Sequence, residues 1–240
     1  IREANGLSYI ILVTNASLLN EERYVELKRA GVDQFSISLD FPDERHDRFR
    51  RRPGLYCHLE ELVPHLALSF GYGDIILNCA ITSENLSCLI ALAQRAHEWG
   101  VLISYSAYSP LRTNDPGYLI SSPHDLRLLS ATMEALTRLS NSQRIVVNSE
   151  FTLRKTYEFF RDGGVPRCTA GRRFLVVRPD GYLNRCSMYP EEIYPFPGAP
   201  LRRFPREHSC SQCWVAIRSY VDKPLFTLIT DTLGLYLSRK

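Results

Sequence analysis

The sequence lacks any long apolar run. A helix that spans a bilayer needs about 20 consecutive apolar residues, but the strongest apolar run near the amino end, residues 9–13, has only the length of a strand. The first residues also lack the apolar stretch of a signal peptide. These absences argue against a membrane partner and predict a cytoplasmic protein.

The sequence also lacks a strong excess of charge of either sign. The 29 Lys and Arg residues and 26 Asp and Glu residues leave a net charge of +3, which argues against a nucleic-acid partner. One dense basic run, residues 48–52, contains a single aromatic residue, Phe49, and no wider stacking platform. We expect a solvated loop there, or a loop that faces a phosphate or carboxylate group.

A disulfide framework is not indicated either. The seven cysteines are odd in number and spread over a chain of 240 residues, which favours a reducing compartment. No cysteine precedes Cys57. Cys57, Cys79 and Cys88 have no close partner in sequence, so we expect them to pack as small hydrophobic side chains.

The first hundred residues alternate between strand-like and helix-like periods. Residues 9–15, 34–40, 74–82 and 101–108 are predicted strands, and the first of them is expected to be buried on both faces. Asn20 and Ser83 are predicted helix caps, and Gly31 and Gly100 are predicted helix ends. Such alternation predicts βαβ units and a parallel sheet, and therefore an α/β fold.

Less regular segments follow the fourth strand. We expect an irregular connector over residues 110–123, a helix over 124–138, a short strand over 144–147 and an amphipathic helix near 153–160. Gly163 and Gly164 mark a change of composition. The predicted boundaries are therefore 1–163 for the α/β domain, 164–220 for a cysteine module and 221–240 for a tail.

Four cysteines cluster near the carboxyl end. Cys168 and Cys186 are separated by a Pro-Asp-Gly turn, and Cys210 and Cys213 form a C-x2-C pair followed at once by Trp214. Clustering of this kind is typical of a metal centre. Zinc takes four thiolates, but its usual ribbon has two C-x2-C pairs. An iron–sulfur cluster tolerates more scattered spacing, so the residues leave both open, with His208 as a substitute ligand or a surface residue.

The motifs in their order resemble radical S-adenosylmethionine (SAM) enzymes with a C-terminal SPASM or Twitch auxiliary domain. In that family one strand ends in Thr-Asn-Gly and the next reads Ile-Ser-Leu-Asp. A His-Asp pair, an Arg-Gly pair and a Pro-Gly pair then follow. The matching residues run from Thr14 to Ala16, from Ile37 to Asp40, and over His46, Asp47, Arg50, Arg51, Pro53 and Gly54.

The cysteine quartet is similar to the auxiliary module of the same family. The family's Pro-Asp-Gly turn and its C-x2-C-Trp motif both have counterparts here. Ile217 and Ser219 occupy the region in which a full SPASM module has a further cysteine, so the match is closer to Twitch. The family's C-x3-C-x2-C loop has no counterpart in this chain, which therefore resembles roughly the last two thirds of such an enzyme.

The resemblance implies a partial (βα) barrel with parallel strands and a small C-terminal cysteine-rich hairpin module. It implies an auxiliary [4Fe–4S] cluster and, in a complete member, SAM and a second [4Fe–4S] cluster that together generate a 5′-deoxyadenosyl radical. The implied partners are a peptide or small-metabolite substrate and an electron-donor protein. The implied ligands are Cys168, Cys186, Cys210 and Cys213 for the metal, and Thr14, Asn15, Ser38, Asp40 and Asn78 for SAM.

At several of these positions the residue type also fits a purely structural role. Asp40 is as well placed to cap a helix as to contact a cofactor, and Asn78 fits a hydrogen-bonded buried amide. Two other functions also remain open: a noncatalytic metal-binding scaffold that has lost SAM cleavage, and a zinc-stabilised α/β protein. The catalytic residues are not indicated by the sequence.

Overall fold

A computed structural model describes residues 9–71, 73–189, 193–194 and 210–229. Its main sheet has four parallel strands in the order β1-β2-β3-β4, with bounds Ile11–Thr14, Gln34–Ser38, Ile75–Ile81 and Leu102–Ala107. Helices α1 (Glu21–Arg29), α2 (Arg45–Arg50), α3 (Leu55–Phe70) and α4 (Leu89–Glu98) lie between the strands in sequence. The predicted alternation and the α/β class are therefore confirmed.

Local signals at helix ends account for most of these bounds. The side chain of Asn20 accepts a hydrogen bond from the backbone N–H of Arg23, as expected of an N-cap. Gly31 and Gly100 follow α1 and α4 with positive φ, which glycine adopts without strain. Ser83 was expected to cap a helix, and this prediction is wrong. Its hydroxyl donates to the carbonyl of Gly117 instead, and a 3-10 turn, Leu86–Cys88, precedes α4.

The two faces of the sheet differ sharply. Residues of β2, β3 and β4 on one face are almost fully buried in the hydrophobic core: Phe35, Ile37, Leu77, Cys79, Ile103 and Tyr105. The opposite face carries small polar side chains in register, with Ser38 beside Asn78 and Asn78 beside Ser104. This half-buried polar face is called the open face below.

Strand β1 lies at the edge of the sheet order and is exposed on the open face. Ile11 and Val13 are 47% and 67% exposed, so the expectation that this strand is buried on both faces is wrong. The continuous apolar run was a misleading signal because it does not distinguish a central strand from an edge strand. Only one face of β1 packs against the core, through Leu12.

The short strand expected at residues 144–147 is reduced to a single parallel bridge between Ile103 and Val146. Asn148 extends this contact with its side chain. Its Oδ1 accepts from the backbone N–H of Tyr105 at 2.7 Å, and its Nδ2 donates to the carbonyl of Tyr105 at 2.8 Å. An amide side chain thus pairs with β4 as the next residue of a strand would.

The remaining elements follow the connector after β4. Helices α5 (Pro123–Gln143) and α6 (Glu150–Asp162) pack on each other, and α7 is Ala216–Val221. Helix α5 is capped by Ser122 and runs five residues beyond the expected end. The connector is irregular apart from the 3-10 turn Pro116–Tyr118. Three short antiparallel strands, β5 (Val176–Val177), β6 (Leu183–Asn184) and β7 (Ile193–Tyr194), form a second sheet.

None of the helices in the described ranges is both long and apolar enough to cross a membrane. Parts of the predicted domains lie outside the described residues: 1–8 and residue 72 in the first domain, 190–192 and 195–209 in the cysteine module, and 230–240 in the tail. His208, named above as a substitute metal ligand, also lies outside them.

Candidate functional site

A buried ion pair follows the carboxyl end of β2. Asp40 is fully buried, and its carboxylate accepts from Nε of Arg50 at 2.6 Å and from the backbone N–H of Ala80 at 3.0 Å. Burial raises the pKa of Asp40, while the neighbouring Arg50 guanidinium opposes that shift. The carboxylate therefore joins the loop after β2 both to α2 and to β3.

His46 completes this pair from the start of α2. Its Nδ1 accepts from the backbone N–H of Asp40 at 3.2 Å, which places the ring proton on Nε2. Burial, helped by the charge of Arg50, lowers the pKa of His46 to about 4, so the ring is neutral at pH 7. Nε2 is buried and has no hydrogen-bond partner among the residues that the structure describes.

Asn85 ties the same loop to the turn after β3. Its Nδ2 donates to the carbonyls of Asp40 at 3.1 Å and Ala80 at 2.9 Å, and its Oδ1 accepts from the backbone N–H of Thr82 at 2.9 Å. Asp40, His46, Arg50 and Asn85 are called the carboxylate lock below. Asp40, an expected SAM contact, is therefore occupied by protein groups, and it does not cap α2, whose N-cap position is Glu44.

Thr14 and Asn15 are also used by the backbone. The hydroxyl of Thr14 accepts from the N–H of Ala16, and the Oδ1 of Asn15 accepts from the N–H of Ser17. Ala16, which follows Asn15, has a φ of 57°. These side chains shape the turn that ends β1, so the turn lies at the carboxyl edge of the sheet together with the carboxylate lock.

Ser38 and Asn78 lie side by side on the open face, where Ser104 continues the row. The Oδ1 of Asn78 is buried and lacks a hydrogen-bond partner within the described part of the chain. A buried acceptor without a donor is unfavourable by about 1–3 kcal/mol. The row therefore suits a ligand that brings an N–H or O–H group to this face, and it differs from the satisfied buried amide considered above.

The arginine run divides into two parts. Arg50 is only partly exposed and belongs to the carboxylate lock. Arg48, Arg51 and Arg52 are exposed, and no ion pair is found for them in the described ranges. The expected solvated loop holds only for Arg51 and Arg52, because residues 48–50 belong to α2; Arg48 is exposed on that helix, and Arg50 is structural. Arg51 has a φ of 53° and ends α2.

The structure brings the four predicted cysteine ligands into one neighbourhood. Cys168, Cys186 and Cys213 are buried, and Cys210 is half-buried. Cys168 and Cys186 belong to one apolar cluster, against which Cys210 packs. The backbone N–H of Cys168 donates to the carbonyl of Cys210 at 3.4 Å. The other three cysteines, Cys57, Cys79 and Cys88, lie on α3, on β3 and in the turn before α4.

The thiols of the quartet act on one another electrostatically. Burial raises the pKa of Cys168 and of Cys186, and it raises that of Cys213 to about 11. A thiolate at Cys210 would raise the first two further, and thiolates at Cys168 and Cys186 would raise the pKa of Cys213. Four thiolates in one place are therefore mutually unfavourable unless a cation lies among them.

The cysteine segments dock at the carboxyl end of β4. The hydroxyl of Ser109 donates to the carbonyl of Gln212, between Cys210 and Cys213, at 3.5 Å. Trp214 is 1% exposed in the main core, and its Nε1 donates to the carbonyl of Thr152 on α6 at 3.4 Å. The quartet is thus anchored at the edge of the sheet that also carries the carboxylate lock.

Gly164 permits the close approach of the two cysteine segments. A Cβ atom at this position would lie 2.6 Å from the carbonyl oxygen of Ser211, which is too close for any side chain. The backbone N–H of the next residue, Val165, donates to that same oxygen at 2.7 Å. The segment before Cys168 therefore packs directly on the backbone between Cys210 and Cys213.

The quartet supplies four possible thiolate ligands for an inorganic group. Across the described residues, no three His, Cys, Asp or Glu side chains are arranged to hold a single metal ion. Tetrahedral zinc, with Zn–S bonds of about 2.3 Å, needs sulfur atoms roughly 4 Å apart. An iron–sulfur cluster also takes four thiolates, so this donor set leaves both inorganic groups open.

A groove elsewhere on the surface does not coincide with either cluster. It encloses about 370 Å³ between α5 and α6 and is lined by residues that include Met133, Glu134, Arg154 and Tyr157. It is open, and no member of the quartet or of the carboxylate lock lines it. We assign no function to it.

Sequence reasoning overlooked several residues that organise these sites. It placed Arg50 in a solvated or anion-facing loop, assigned no role to Asn85, and missed Arg218, which is buried beside the quartet. The spacing of Arg218 and Asp222, four residues apart after the C-x2-C-Trp motif, was the available signal for a helical ion pair.

No family model matches this chain, and no curated protein matches it significantly.

Proposed function

We propose that this chain is an iron–sulfur protein of the radical SAM type, in which Cys168, Cys186, Cys210 and Cys213 hold an auxiliary [4Fe–4S] cluster. The observation that carries the proposal is the gathering of four thiols, three of them buried and one half-buried, at the carboxyl edge of a parallel sheet. Active groups of α/β proteins collect at this edge because the loops that follow the strands meet there.

Two backbone details support the kinship independently of the cysteines. The family motifs have glycine at the positions of Ala16 and Arg51, and both residues have a left-handed backbone here, with φ of 57° and 53°. Glycine is the residue that adopts this conformation without strain. The left-handed backbone at both positions is the conformation that glycine favours, which supports the proposed resemblance.

The sheet supports the finer prediction of a partial (βα) barrel. Its open face carries Ser38, Asn78 and Ser104 in one row, and the Ile103–Val146 bridge continues the parallel order after β4. In this proposal the open face is the inner wall of the barrel, and Ser38 and Asn78 orient SAM through their oxygen atoms. Thr14, Asn15 and Asp40 act indirectly, because they hold the turns at this edge.

In a complete protein of this type, bound SAM and its cluster supply a radical that removes a hydrogen atom from the substrate, a peptide or small metabolite. In this proposal the residues of this chain bind and orient SAM and the substrate, and they exclude water from the site. The auxiliary cluster, held by four thiolates with no open iron, serves to conduct electrons from a donor protein or to brace the fold.

A noncatalytic scaffold is the second candidate, and the positions of the other cysteines favour it for this chain alone. Cys57 is exposed on α3, whereas Cys79 and Cys88 are buried, and the three do not form a C-x3-C-x2-C loop. We therefore expect no 5′-deoxyadenosine when the isolated chain is incubated with SAM and a reductant. Robust formation of that product would contradict the scaffold proposal.

Anaerobic purification with iron and sulfide analysis tests the cluster. We expect broad visible absorption and about four irons and four sulfides per chain. Serine at any one of the four positions of the quartet should remove most of this absorption, while Cys57→Ser should leave it unchanged. Stoichiometric zinc without iron in the native protein would overturn the proposal and favour the zinc-stabilised alternative.

A further inference from the structure

Arg218 on α7 is one of the most deeply buried charged residues of the protein, with 1% of its surface exposed. A buried guanidinium is costly unless its N–H groups are satisfied by protein acceptors. Its surroundings meet this requirement. Its Nε donates to Asp222 at 2.8 Å, and its planar group also lies over the ring of Trp214, 5.6 Å from the ring centre.

The remaining N–H groups of Arg218 join the two halves of the cysteine quartet. Nη1 donates to the carbonyl of Cys213, a predicted ligand. Nη2 donates to the carbonyls of Val165 at 2.6 Å and Pro166 at 2.9 Å, just ahead of Cys168. One side chain thus connects segments that are more than 45 residues apart in sequence.

Asp222, the ion-pair partner of Arg218, is bonded to the residue on the other side of Cys168. Asp222 accepts a hydrogen bond from the hydroxyl of Thr169, the residue that follows Cys168. The residues on both sides of Cys168 are therefore tied to α7 and its end, the preceding backbone by Arg218 and the Thr169 side chain by Asp222. Side chains that orient ligands in this way are as important to metal sites as the ligands themselves.

The charge of Arg218 also acts on the thiols. Its guanidinium is bonded to the carbonyl of Cys213 and to the backbone just ahead of Cys168, so its positive charge lies beside two of the proposed ligands. A thiolate-held cluster is anionic, and a nearby positive charge favours its reduced form, which carries one more electron. The position of Arg218 is thus suited to two tasks, namely geometry and charge.

We propose that Arg218 is the positioning residue of the four-cysteine site, which holds Cys168 and Cys213 at the spacing of a cluster and sets its reduction potential. This inference rests on the proposed iron–sulfur function. The inference extends that function, because it assigns control of the reduction potential of the auxiliary cluster to the buried side chain of Arg218 and to its partner Asp222.

The test uses the full chain, reconstituted anaerobically with iron and sulfide. Arg218→Met should hold iron about 10–100-fold more weakly in a chelator challenge, and its remaining cluster should have a lower reduction potential. Arg218→Lys keeps the charge but lacks the planar fork, so it should recover the potential while iron retention stays reduced. Arg173→Met is the matched control, since Arg173 donates to the carbonyls of Val221 and Lys223 on the outer side.

The outcomes separate this inference from the proposed function. Wild-type iron retention and potential in Arg218→Met would overturn the inference and leave the cluster proposal intact. If circular dichroism shows that Arg218→Met does not fold, Arg218→Lys decides, and wild-type retention in that variant overturns the positioning role. Lower retention with an unchanged potential in Arg218→Met would overturn the tuning role. A wild-type chain that takes up no iron would overturn both proposals.

Discussion

The carboxylate lock and the cysteine quartet are two buried polar clusters at the same edge of one sheet, and they are built in opposite ways. In the lock, the carboxylate of Asp40 forms an ion pair with Arg50 and accepts a hydrogen bond from the backbone N–H of Ala80. In the quartet, the thiols raise one another's pKa, and Arg218 offsets only part of the effect.

This difference separates a structural cluster from a candidate binding site. In the lock, a carboxylate and a guanidinium of the chain itself form an ion pair, which fixes the loop after β2 even though burial raises the pKa of Asp40. Four neutral thiols are stable without a bound group, and their thiolates become favourable only beside a cation or an iron–sulfur cluster, which is the group that we propose for the quartet. The comparison therefore explains why we place the inorganic centre at the quartet and not at Asp40.

The largest expected effect concerns Cys213. Because burial raises its pKa to about 11 and only the thiolate reacts, alkylation of metal-free protein should accelerate about tenfold per pH unit, or ~1000-fold from pH 7 to pH 10. Mass spectrometry of the modified peptide measures the rate. After reconstitution with iron and sulfide, Cys213 should be protected throughout, whereas exposed Cys57 should remain reactive. A rate independent of pH would contradict the difference between the two clusters.

Removal of Arg50 should break the lock. Arg50→Met leaves the carboxylate of Asp40 buried without its cation, and a buried pair broken in this way loses about 3–5 kcal/mol of the free energy of unfolding. Urea denaturation at pH 7 measures the loss. Arg48→Met, an exposed position on the same helix, is the matched control and should change stability by less than about 0.5 kcal/mol. Equal effects of the two variants would show that the lock is not structural.

The lock should also weaken in acid through His46. Its pKa is about 4 in the folded protein and about 6.5 when unfolded. Below pH 6.5, His46 is protonated in the unfolded chain but stays neutral in the folded protein. The free energy of unfolding therefore falls as the pH decreases from 6.5 to 4. The loss for this residue approaches ~3 kcal/mol near pH 4.

His46→Asn isolates this contribution, since asparagine can still accept from the N–H of Asp40 but does not titrate. The raised pKa of Asp40 acts in the opposite direction, so the difference between wild type and variant is the quantity to measure. Urea denaturation at pH 7 and at pH 4.5 should show a smaller acid loss in the variant. Parallel losses in both proteins would mean that His46 is protonated in the native state.

The smallest effect concerns the spacing of the quartet. In Gly164→Ala the new Cβ meets the carbonyl of Ser211, so the two segments must separate at a cost of about 1–3 kcal/mol. Iron retention should fall together with stability. Gly163→Ala is the control, because Gly163 has a positive φ but no atom near its Cβ position. That variant should lose about 1 kcal/mol without loss of iron, and the reverse pattern would contradict the role of Gly164.

Hydrophobic periodicity and capping residues predicted four parallel strands and the helices between them. The predictions failed where a local pattern has two structural meanings. The apolar run of β1 fits both a central and an edge strand, and Ser83 resembles a cap although Asn85 and Thr82 close that turn. The strand expected at 144–147 became one bridge, because the side chain of Asn148 replaces further backbone pairing.

The candidate site divides in the same way. The C-x2-C pair and the Pro-Asp-Gly turn predicted the four cysteines as candidate ligands, because each of these motifs lies within a few consecutive residues. The carboxylate lock was found only in part, because its members come from β2, α2 and the turn after β3. Arg218 was missed entirely, since nothing in a sequence distinguishes a buried arginine from a surface one.

The amino-acid sequence by itself determined the alternation of strands and helices, the ends of several helices and the identity of the four thiols, because these depend on residues a few positions apart. The tertiary structure decided which face of the sheet is open, that Asp40 pairs with Arg50, and that Arg218 joins Val165 and Pro166 to Cys213. These features require residues distant in sequence to meet, and such meetings are set by sheet register and packing, which no local pattern encodes.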